Sequence, residues 1–482
     1  MAPPFGLLYL ASALERAGFS TRLVHESMNS VRAAALAEEI VAGRPLLVGI
    51  SSFTGPSLRS SLQLSQAIKR ISAVPVVWGG LHATMLPEQT LANRAVDVAV
   101  MAEGEETIVD LARLCEAGEL TPRALAAMPG VAYRDDGTAR TNNWRPYIRD
   151  LDRYRPAWHL LDIERYLYRG TYIYSALGSK VSDLKIATVM TSRGCPGRCG
   201  YCYNQFVNHG SFRAHSVTHA LAEINDLAHN HGVTAVVFED DCLFADKKRA
   251  IEIIHGLPVR WAASIRADYL ARWGEPFIAD LAAHNCFELR IGAESGSQRV
   301  LDLMSKGITV DQVRRSVNLC LEHNINVLLG FMCGVPGETW ADTLETLDLI
   351  DELERQGASV AAGPAFFFPY PGTPMFDEAV RLGFHPPADI DEWAIGWGPG
   401  QPLPPYADRR ARLVGFYRIM AEHRDTTSLR APFFARLLQW LARYRWRKRF
   451  FGLPLDYYVP RAGLRLMRRI GLTKLTGAIY KD

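Results

Sequence analysis

Short apolar runs with the character of β-strands alternate with amphipathic helical patterns along most of this 482-residue chain. A chain of that length is too long for one ordinary domain. Strands that alternate with helices predict parallel sheets covered by helices on both faces. The alternation occurs in two blocks, so the chain is predicted to be an α/β protein with domains at 1–135 and 184–400, a linker at 136–183 and a further segment at 401–482.

The first block predicts a doubly wound parallel sheet. Its strands are expected at 21–25, 46–52, 74–80 and 96–101, with helices at about 7–18, 32–42, 57–71 and 105–116. In such sheets, ligands bind at the carboxyl ends of the strands. The small or polar residues that follow the predicted strands are therefore candidate ligand contacts: Ser52, Thr54, Gly79, Gly80, His82 and Gly104.

Three cysteines with the spacing C-x3-C-x2-C lie in the second block. Cys195, Cys199 and Cys202 are interleaved with glycines, which let the backbone turn tightly around an object. A structural zinc site takes four ligands, and so does an electron-transfer iron–sulfur cluster. Three thiolates on a four-iron cluster would leave one iron open for a substrate. The alternative is half of a zinc site, completed by His209 or His215.

The cysteine spacing, with an aromatic residue just before the last cysteine, resembles the radical S-adenosylmethionine (radical SAM) superfamily. The resemblance implies that Cys195, Cys199 and Cys202 hold a [4Fe-4S] cluster whose open iron binds SAM. It further implies that one electron cleaves SAM to a 5′-deoxyadenosyl radical. Strands are expected at 185–190, 234–239, 260–264, 287–292, 327–332 and 360–368. The six strand–helix units that they begin resemble the partial (β/α)6 barrel of that superfamily.

Polar residues after the barrel strands are the candidate SAM contacts. Three adjacent acids at 239–241 need a cationic partner, which the SAM ammonium would provide, and a guanidinium suits a carboxylate. The alternatives are a solvated loop for the acids, a salt bridge with Asp268 for the arginine, and plain packing for the tyrosine. With the segments matched to the family, the candidates are Tyr201, Asp240, Asp241, Arg266, Glu294, Ser295 and Pro336.

Four segments of the first block, in order, resemble the cobalamin-binding domain that precedes many radical SAM enzymes: 3–10, 51–54, 79–84 and 103–107. The resemblance implies that the six residues named above, Ser52, Thr54, Gly79, Gly80, His82 and Gly104, contact cobalamin. In the family, a strand comes before the first of these segments, so the sheet is expected to lack its first strand. The D-x-H-x-x-G motif, which supplies a histidine to cobalt in many other cobalamin proteins, is absent from the sequence. His25 and His82 are expected to be structural histidines and not cobalt ligands. Cobalt is therefore expected without a protein histidine below it.

The expected reaction is hydrogen abstraction from an unactivated carbon of a small molecule, followed by cobalamin-dependent methyl transfer. An electron donor such as flavodoxin or ferredoxin is implied. The layout also resembles anaerobic magnesium-protoporphyrin ester cyclase-like and hopanoid-associated members, for which the outcome is oxidative cyclisation or rearrangement of a tetrapyrrole- or lipid-like substrate. A hypothesis from another class is a non-catalytic SAM or cobalamin sensor. Fold and domain pairing do not choose among these outcomes.

The C-terminal segment is strongly basic. Residues 430–482 contain 13 Lys and Arg against two Asp, a net charge of +11, so the rest of the chain carries −8 of the total of +3. A basic, mainly helical segment with aromatic residues is either a helix docked on the barrel or a contact for a membrane surface. No nucleic-acid module accompanies it. The eight cysteines form no disulfide framework and no membrane span is expected, which predicts a cytoplasmic protein. Membrane contact through the basic segment would make it peripheral to the inner membrane surface.

Overall fold

A computed structural model describes residues 2–26, 32–169, 183–361, 363–395, 403–422, 433–453 and 455–456. Two helix-covered sheets organise this part of the chain, one before and one after residue 150. Within the described residues, no helix is both long and apolar enough to cross a membrane.

The first sheet has five strands in sequential order. The first three are parallel and the last two form an antiparallel edge. The strands are β1 (Val48–Ser51), β2 (Val76–Gly79), β3 (Val98–Val100), β4 (Val131–Asp135) and β5 (Thr138–Thr141). The helices are α1 (Phe5–Arg16), α2 (Ala33–Ala42), α3 (Ser57–Ile71), α4 (Leu81–Met85), α5 (Pro87–Ala92), α6 (Glu105–Ala117) and α7 (Pro122–Ala126).

One predicted strand of the first sheet was wrong, and one hairpin of the sheet was not predicted. Thr21–His25 is not a strand, because no described strand lies beside it to form a ladder; its side chains contact helices instead, with Arg22 paired to Glu39. The hairpin of β4 and β5 was not predicted, and it carries the sheet to Thr141, beyond the predicted boundary at 135. Gly137, with φ of +80°, provides the left-handed turn that this hairpin requires.

The second sheet is the predicted partial barrel. Its parallel strands follow the order β14-β13-β12-β11-β10-β7, and β6 is antiparallel at the edge. The bounds are β6 (Tyr168–Arg169), β7 (Lys185–Val189), β10 (Ala235–Phe238), β11 (Arg260–Ile265), β12 (Cys286–Glu294), β13 (Asn326–Cys333) and β14 (Ser359–Val360). The hairpin β8 (Ser192–Arg193) and β9 (Arg213–Ala214) flanks the cysteine loop. The predicted strand at 360–368 is two short strands, β14 and β15 (Ala365–Phe366), both paired with β13.

Helices cover the outer face of the barrel. Thr309 and Thr339 begin two of them with capping boxes, which satisfy amide groups that the helix itself leaves unpaired. The helices are α8 (Asn204–Val207), α9 (Val217–His231), α10 (Lys247–His255), α11 (Ala267–Ala283), α12 (Gln298–Leu303), α13 (Val310–Glu322), α14 (Trp340–Gln356) and α15 (Pro374–Arg381). Short 3₁₀ helices occur at Leu151–Arg153, Trp158–Leu160, Ile163–Tyr166 and Leu243–Ala245.

The segment that follows the barrel returns to the first domain. Helix α16 (Ile390–Ala394) places Ile390, Trp393 and Ala394 in the same apolar core as Trp78 of β2. Residues of α16, which follows the barrel in sequence, and residues of the first sheet therefore share one core. This packing fixes the first sheet against the barrel, because the core of one is completed by the chain of the other.

Two helices of the C-terminal segment dock on the barrel. These are α17 (Ala411–Glu422) and α18 (Phe433–Lys448), and the Trp446 indole of α18 donates to Asp351 of α14 at 2.8 Å. The predicted helical, basic character of this segment holds for α18. The remainder of the segment, residues 457–482, lies outside the described residues.

Candidate functional site

The three cysteines lie in one loop at the carboxyl end of the barrel. All three thiols are free; Cys199 is buried, and Cys195 and Cys202 are half-buried. Gly194 enters the loop with φ of +86°, and a Cβ there would lie 2.0 Å from the Ser211 carbonyl oxygen. Only glycine fits that position. The Gly197 amide donates to the Cys195 sulfur at 3.4 Å, so the loop backbone turns inward around its thiols.

The spacing of the thiols argues against a single zinc ion. With a Zn–S distance near 2.3 Å, neighbouring sulfurs of a tetrahedral site lie about 3.8 Å apart. Among the described residues, two trios of ligand atoms lie within 4.8 Å of one another, and neither includes a cysteine. His215 belongs to one trio, with Asp152 and His219, while the His209 ring lies against Trp144 at a tilt of 35°. A larger object such as an iron–sulfur cluster fits the three thiols better.

Two carboxylates anchor the cysteine loop. Asp240 is buried and accepts from the Thr191 amide at 3.0 Å, the Thr191 hydroxyl at 2.9 Å and the Ser192 hydroxyl. Asp241 accepts from the Gly194 amide at 2.9 Å. Both predicted SAM contacts thus bond to the strand and turn that lead into Cys195. We propose an anchoring role for Asp240 in place of the ammonium contact predicted from sequence.

Arg266 lies beside the cysteines. Its Nη1 is 3.6 Å from the Cys199 sulfur, its Nε donates to Asp268 at 2.8 Å, and its Nη2 donates to the Lys306 carbonyl oxygen at 2.8 Å. The predicted Asp268 salt bridge is therefore present, and the guanidinium still reaches the thiol. A cation here compensates the negative charge of thiolates, whether or not a carboxylate also binds.

Tyr201, Glu294 and Lys306 form a buried polar triad next to the cysteines. The Lys306 ammonium donates to Glu294 Oε1 at 2.7 Å and to the Tyr201 hydroxyl at 2.9 Å, and the hydroxyl donates to the same Glu294 oxygen at 2.7 Å. Glu294 has φ of +62°, at a bulge between β12 and β13. This conformation is uncommon for a residue other than glycine and redirects the end of the strand.

The other two predicted SAM residues are buried at strand ends. The Ser295 hydroxyl is 2.9 Å from the Thr346 hydroxyl and accepts from the Ser297 amide, so its hydrogen bonds are internal. Pro336 is buried in the turn after β13. The Ser295 hydroxyl therefore braces the end of the barrel, and the SAM contacts of Ser295 and Pro336 stay predictions.

The protein environment separates the cysteine pKa values. A hydrogen bond with the neighbouring Cys242 thiol, assisted by the Gly197 amide and the Arg266 charge, lowers the pKa of Cys195 to about 6 in spite of its burial. Burial raises the pKa of Cys202 to about 12. Because a thiolate is the form that ligates metals, Cys195 is a more readily available ligand than Cys202.

The candidate cobalamin residues lie at the carboxyl ends of the parallel strands β1, β2 and β3, which form the glycine-rich edge of the first sheet. Ser52 and Thr54 follow β1, Gly79 ends β2, and Gly80 and His82 come directly after it. Gly80 has φ of +94°, and a Cβ there would lie 2.8 Å from the Ser52 carbonyl oxygen. Gly104 follows β3 and touches Leu10 of α1 closely enough that a Cβ would come within 3.1 Å.

His82 is the buried polar group of this edge. Its Nδ1 lies 3.2 Å from the Thr54 hydroxyl, and its Nε2 has no partner among the described residues. Burial lowers the pKa of His82 from its ordinary value of 6.5 to about 4, so the ring is neutral near pH 7. An edge with glycine turns and an orphaned buried nitrogen fits a large, polar-rimmed ligand such as a corrin ring.

The helices that follow the two candidate sites contact each other. Helix α4, which follows β2 and includes His82, contacts α8, which follows the cysteine loop. The Tyr147 hydroxyl donates to the Val207 carbonyl oxygen of α8 at 2.7 Å, so the linker also contacts this junction. A group on the first sheet and a group on the cysteine loop would therefore border one interdomain space.

Sequence reasoning missed three kinds of residue here. Lys306 lies twelve positions after Glu294, and a lone lysine after a helix carries no signal of burial. Cys242 lies forty residues beyond the cysteine motif in sequence, but its thiol lies beside Cys195. Arg193 and Arg213 pair with acids of the first domain, and their position next to the cysteine motif was the available signal.

Two family descriptions match the chain: "B12 binding domain" over residues 1–112 and "Radical SAM superfamily" over residues 189–350. An uncharacterized methyltransferase of Pyrococcus horikoshii is 29% identical over 386 residues, covering 78% of each chain. The anaerobic magnesium-protoporphyrin IX monomethyl ester cyclase of Cereibacter sphaeroides is 28% identical over 385 residues, covering 78% of this chain and 60% of the cyclase.

Among solved structures, the fold is similar to that of the cobalamin-dependent SAM radical enzyme OxsB with aqua-cobalamin bound. The TM-score is 0.68 at 17% identity, and the match covers 97% of this chain and 73% of OxsB. At that identity the likeness concerns the fold. It extends over both sheets, the linker and the C-terminal helices together.

Proposed function

Because this chain belongs to the radical SAM enzymes that carry a B12-binding domain, we propose that it is a cobalamin-dependent C-methyltransferase. Cys195, Cys199 and Cys202 hold a [4Fe-4S] cluster, and Ser52, Thr54, Gly79, Gly80, His82 and Gly104 contact cobalamin. One observation carries the proposal: α4, directly after the glycine-rich edge of the first sheet, contacts α8, directly after the cysteine loop. The name of the Pyrococcus relative supports methyl transfer.

When bound, the cluster and SAM supply a 5′-deoxyadenosyl radical, and the corrinoid supplies a methyl group. The protein then has to place one substrate carbon between them and exclude water. Its own residues act on charge and orientation. A one-electron protein donor such as flavodoxin or ferredoxin is the proposed partner, and a small molecule is the substrate.

Lys306 and Glu294 are the proposed SAM-orienting pair. Each is almost fully buried and each satisfies the other, so together they present a fixed positive and a fixed negative group beside the cysteines. An amino acid carboxylate suits the Lys306 ammonium, and ribose hydroxyls suit the Glu294 carboxylate. Tyr201, bonded to both, holds the pair in register. Arg266 contributes a second cation at Cys199.

The test is anaerobic reconstitution with iron, sulfide, SAM and dithionite, followed by measurement of 5′-deoxyadenosine. The wild type is expected to form it, and Cys199→Ala is expected to form none, because the cluster would lose one of three ligands. Cys320→Ala is the matched control, since that thiol belongs to α13 and is buried in the apolar core of the barrel.

Equal 5′-deoxyadenosine from the wild type and Cys199→Ala would reject the enzyme assignment. SAM binding without cleavage would favour the sensor hypothesis. For the alternative of oxidative cyclisation or rearrangement, which the cyclase relative supports, the discriminating observation is corrinoid content. A protein that cleaves SAM but takes up no cobalamin would favour that alternative over methyl transfer.

Helix α18 supports a second proposal, contact with an anionic membrane surface. Leu437, Trp440 and Tyr444 recur at helical spacing on its exposed face, and Trp440 is 59% exposed. Exposed basic residues flank this stripe: Arg436, Arg443, Arg447 and Lys448. Aromatic and aliphatic side chains among cations are the composition of an interfacial helix, with each cation adding about 1 kcal/mol at an anionic surface.

Sedimentation with phosphatidylglycerol vesicles tests this surface. The wild type is expected to sediment with them but not with phosphatidylcholine vesicles, and Trp440→Ser with Tyr444→Ser is expected to remain in solution. Leu382→Ser, which removes an exposed apolar side chain elsewhere, should sediment as the wild type does. Equal sedimentation of the double variant would reject membrane contact through α18.

A further inference from the structure

A buried ion network joins the cysteine loop to the first sheet. Arg193 and Arg213 are opposite one another in the hairpin of β8 and β9, which brackets the cysteine loop. The Nη1 atoms of both arginines reach the same oxygen, Glu103 Oε1, at 2.9 Å and 2.6 Å. One carboxylate of the first domain is therefore held by both strands of the hairpin.

The first domain contributes a second carboxylate. Arg193 Nη2 is 2.6 Å from Glu105 Oε1, and the other Glu103 oxygen accepts from the Ile148 amide at 2.8 Å. The four charged side chains of the network are between 6% and 15% exposed. Two cations and two anions thus balance each other out of contact with bulk water, where their interaction is little screened by salt.

A tyrosine of α1 completes the contact. The Arg193 guanidinium lies over the Tyr9 ring, 4.8 Å from its centre, and the Tyr9 hydroxyl is 3.1 Å from His215 Nε2. Because His215 follows β9 directly, α1 touches both strands of the hairpin. The hairpin is therefore fixed by two separate elements of the first domain.

This network defines geometry more than it adds stability. Buried ion pairs contribute little net stability compared with apolar packing, but a planar guanidinium that engages two carboxylates fixes both distance and direction. The two ends of the network are also close in sequence to the two candidate cofactor sites. Gly104 lies between Glu103 and Glu105, and Cys195 is two residues after Arg193.

We propose that Glu103, Arg193 and Arg213 are positioning residues that set the separation between the corrinoid and the cluster. The proposal rests on the proposed function, because it requires both groups in one chain. Transfer of a methyl group to a substrate carbon that has just lost hydrogen requires both groups to be within reach of that carbon. A small displacement of the cysteine loop relative to the first sheet would prevent this.

The test measures the separation itself. Full-length protein is loaded with iron, sulfide and hydroxocobalamin, its iron and cobalt are quantified, and both centres are reduced to paramagnetic states. Pulsed electron paramagnetic resonance then reports the distance between cluster and cobalt. The variant is Glu103→Gln, which keeps shape but removes the charge. The matched control is Glu106→Gln, a neighbouring carboxylate that pairs with Arg153 at a more exposed site.

The wild type and Glu106→Gln are expected to give one narrow distance distribution, and Glu103→Gln a broadened or split one with both groups retained. Arg213→Lys keeps the charge but loses the forked guanidinium, so it should broaden the distance distribution less than Glu103→Gln does. If Glu103→Gln fails to retain the cluster or the corrinoid, Arg213→Lys is the variant whose distance is measured. An unchanged distribution in the variant measured overturns the positioning role. A wild type that holds the cluster but no corrinoid overturns the proposed function, and the positioning role with it.

Discussion

The cysteine loop and the glycine-rich edge of the first sheet are built in opposite ways. The three cysteines fall within residues 195–202, and their supporting carboxylates follow one strand of the same barrel. The six candidate cobalamin contacts come from three loops, and the core beneath them includes Trp393, which lies beyond the barrel. A local site can be recognised as a motif, whereas a dispersed site depends on long-range packing.

The first prediction tests whether the barrel site depends on its own buried charges. Lys306→Met leaves the Glu294 carboxylate buried without its cation, so the free energy of unfolding is expected to fall by about 4 kcal/mol. SAM cleavage is expected to disappear as well. Denaturant unfolding and 5′-deoxyadenosine formation measure the two effects.

Lys248→Met removes a lysine that is 89% exposed and should change neither quantity. If Lys306→Met unfolds at the same denaturant concentration as the wild type, then other groups satisfy the Glu294 carboxylate. The barrel site would then not depend on the triad of Tyr201, Glu294 and Lys306.

The second prediction tests the dispersed site. Trp393→Ala removes a large side chain that is 2% exposed in the core shared with β2 and α3, and it is expected to cost about 3 kcal/mol. Because this core belongs to the first domain, corrinoid content should fall while iron content remains. Metal analysis of the purified protein measures both.

Trp440→Ala is the comparison for that change, since Trp440 is exposed and should leave both contents unaltered. If Trp393→Ala lost iron and corrinoid equally, the two sites would depend on one cooperative unit. The contrast between a local cysteine site and a dispersed cobalamin site would then be wrong.

The third prediction concerns pH. Because the pKa of His82 is lowered to about 4 in the folded state, the unfolded chain binds the proton first as pH falls below 6.5. Stability is therefore lost on acidification, by about 2 kcal/mol for this residue between pH 7 and pH 5. Unfolding midpoints at the two pH values measure the loss.

His82→Gln should flatten that pH dependence by a similar amount, whereas His229→Gln, on the exposed face of α9, should leave the dependence as in the wild type. An unchanged slope in His82→Gln would mean that the ring is not held neutral at the edge of the first sheet.

Much of the fold could be predicted because its signals are local. Strands β1, β2 and β3 are apolar runs bounded by turn residues, and so are the barrel strands β7, β10, β11, β12 and β13. Thr21–His25 has the same pattern, but a strand also needs a neighbouring backbone, which a pattern does not reveal. The last predicted strand divides into β14 and β15, where Gly363 has φ of +83° and turns the chain.

The candidate site was predictable where spacing carries the chemistry. The cysteine motif identifies its own loop, but the roles of Asp240 and Ser295 depend on which amides and hydroxyls they meet. Lys306, Trp393 and the arginines beside the cysteines act through partners at least a dozen residues away in sequence. Such pairings appear only when the chain is folded.

The most direct test of the central claim is the composition of one sample. Protein produced with cobalamin supplied and reconstituted anaerobically with iron and sulfide is analysed for iron, sulfide and cobalt. The account predicts about four iron atoms and about one cobalt per chain, with iron lost in Cys199→Ala and cobalt retained. A wild type that holds the iron but no cobalt, or a Cys199→Ala variant that keeps its iron, would contradict the account.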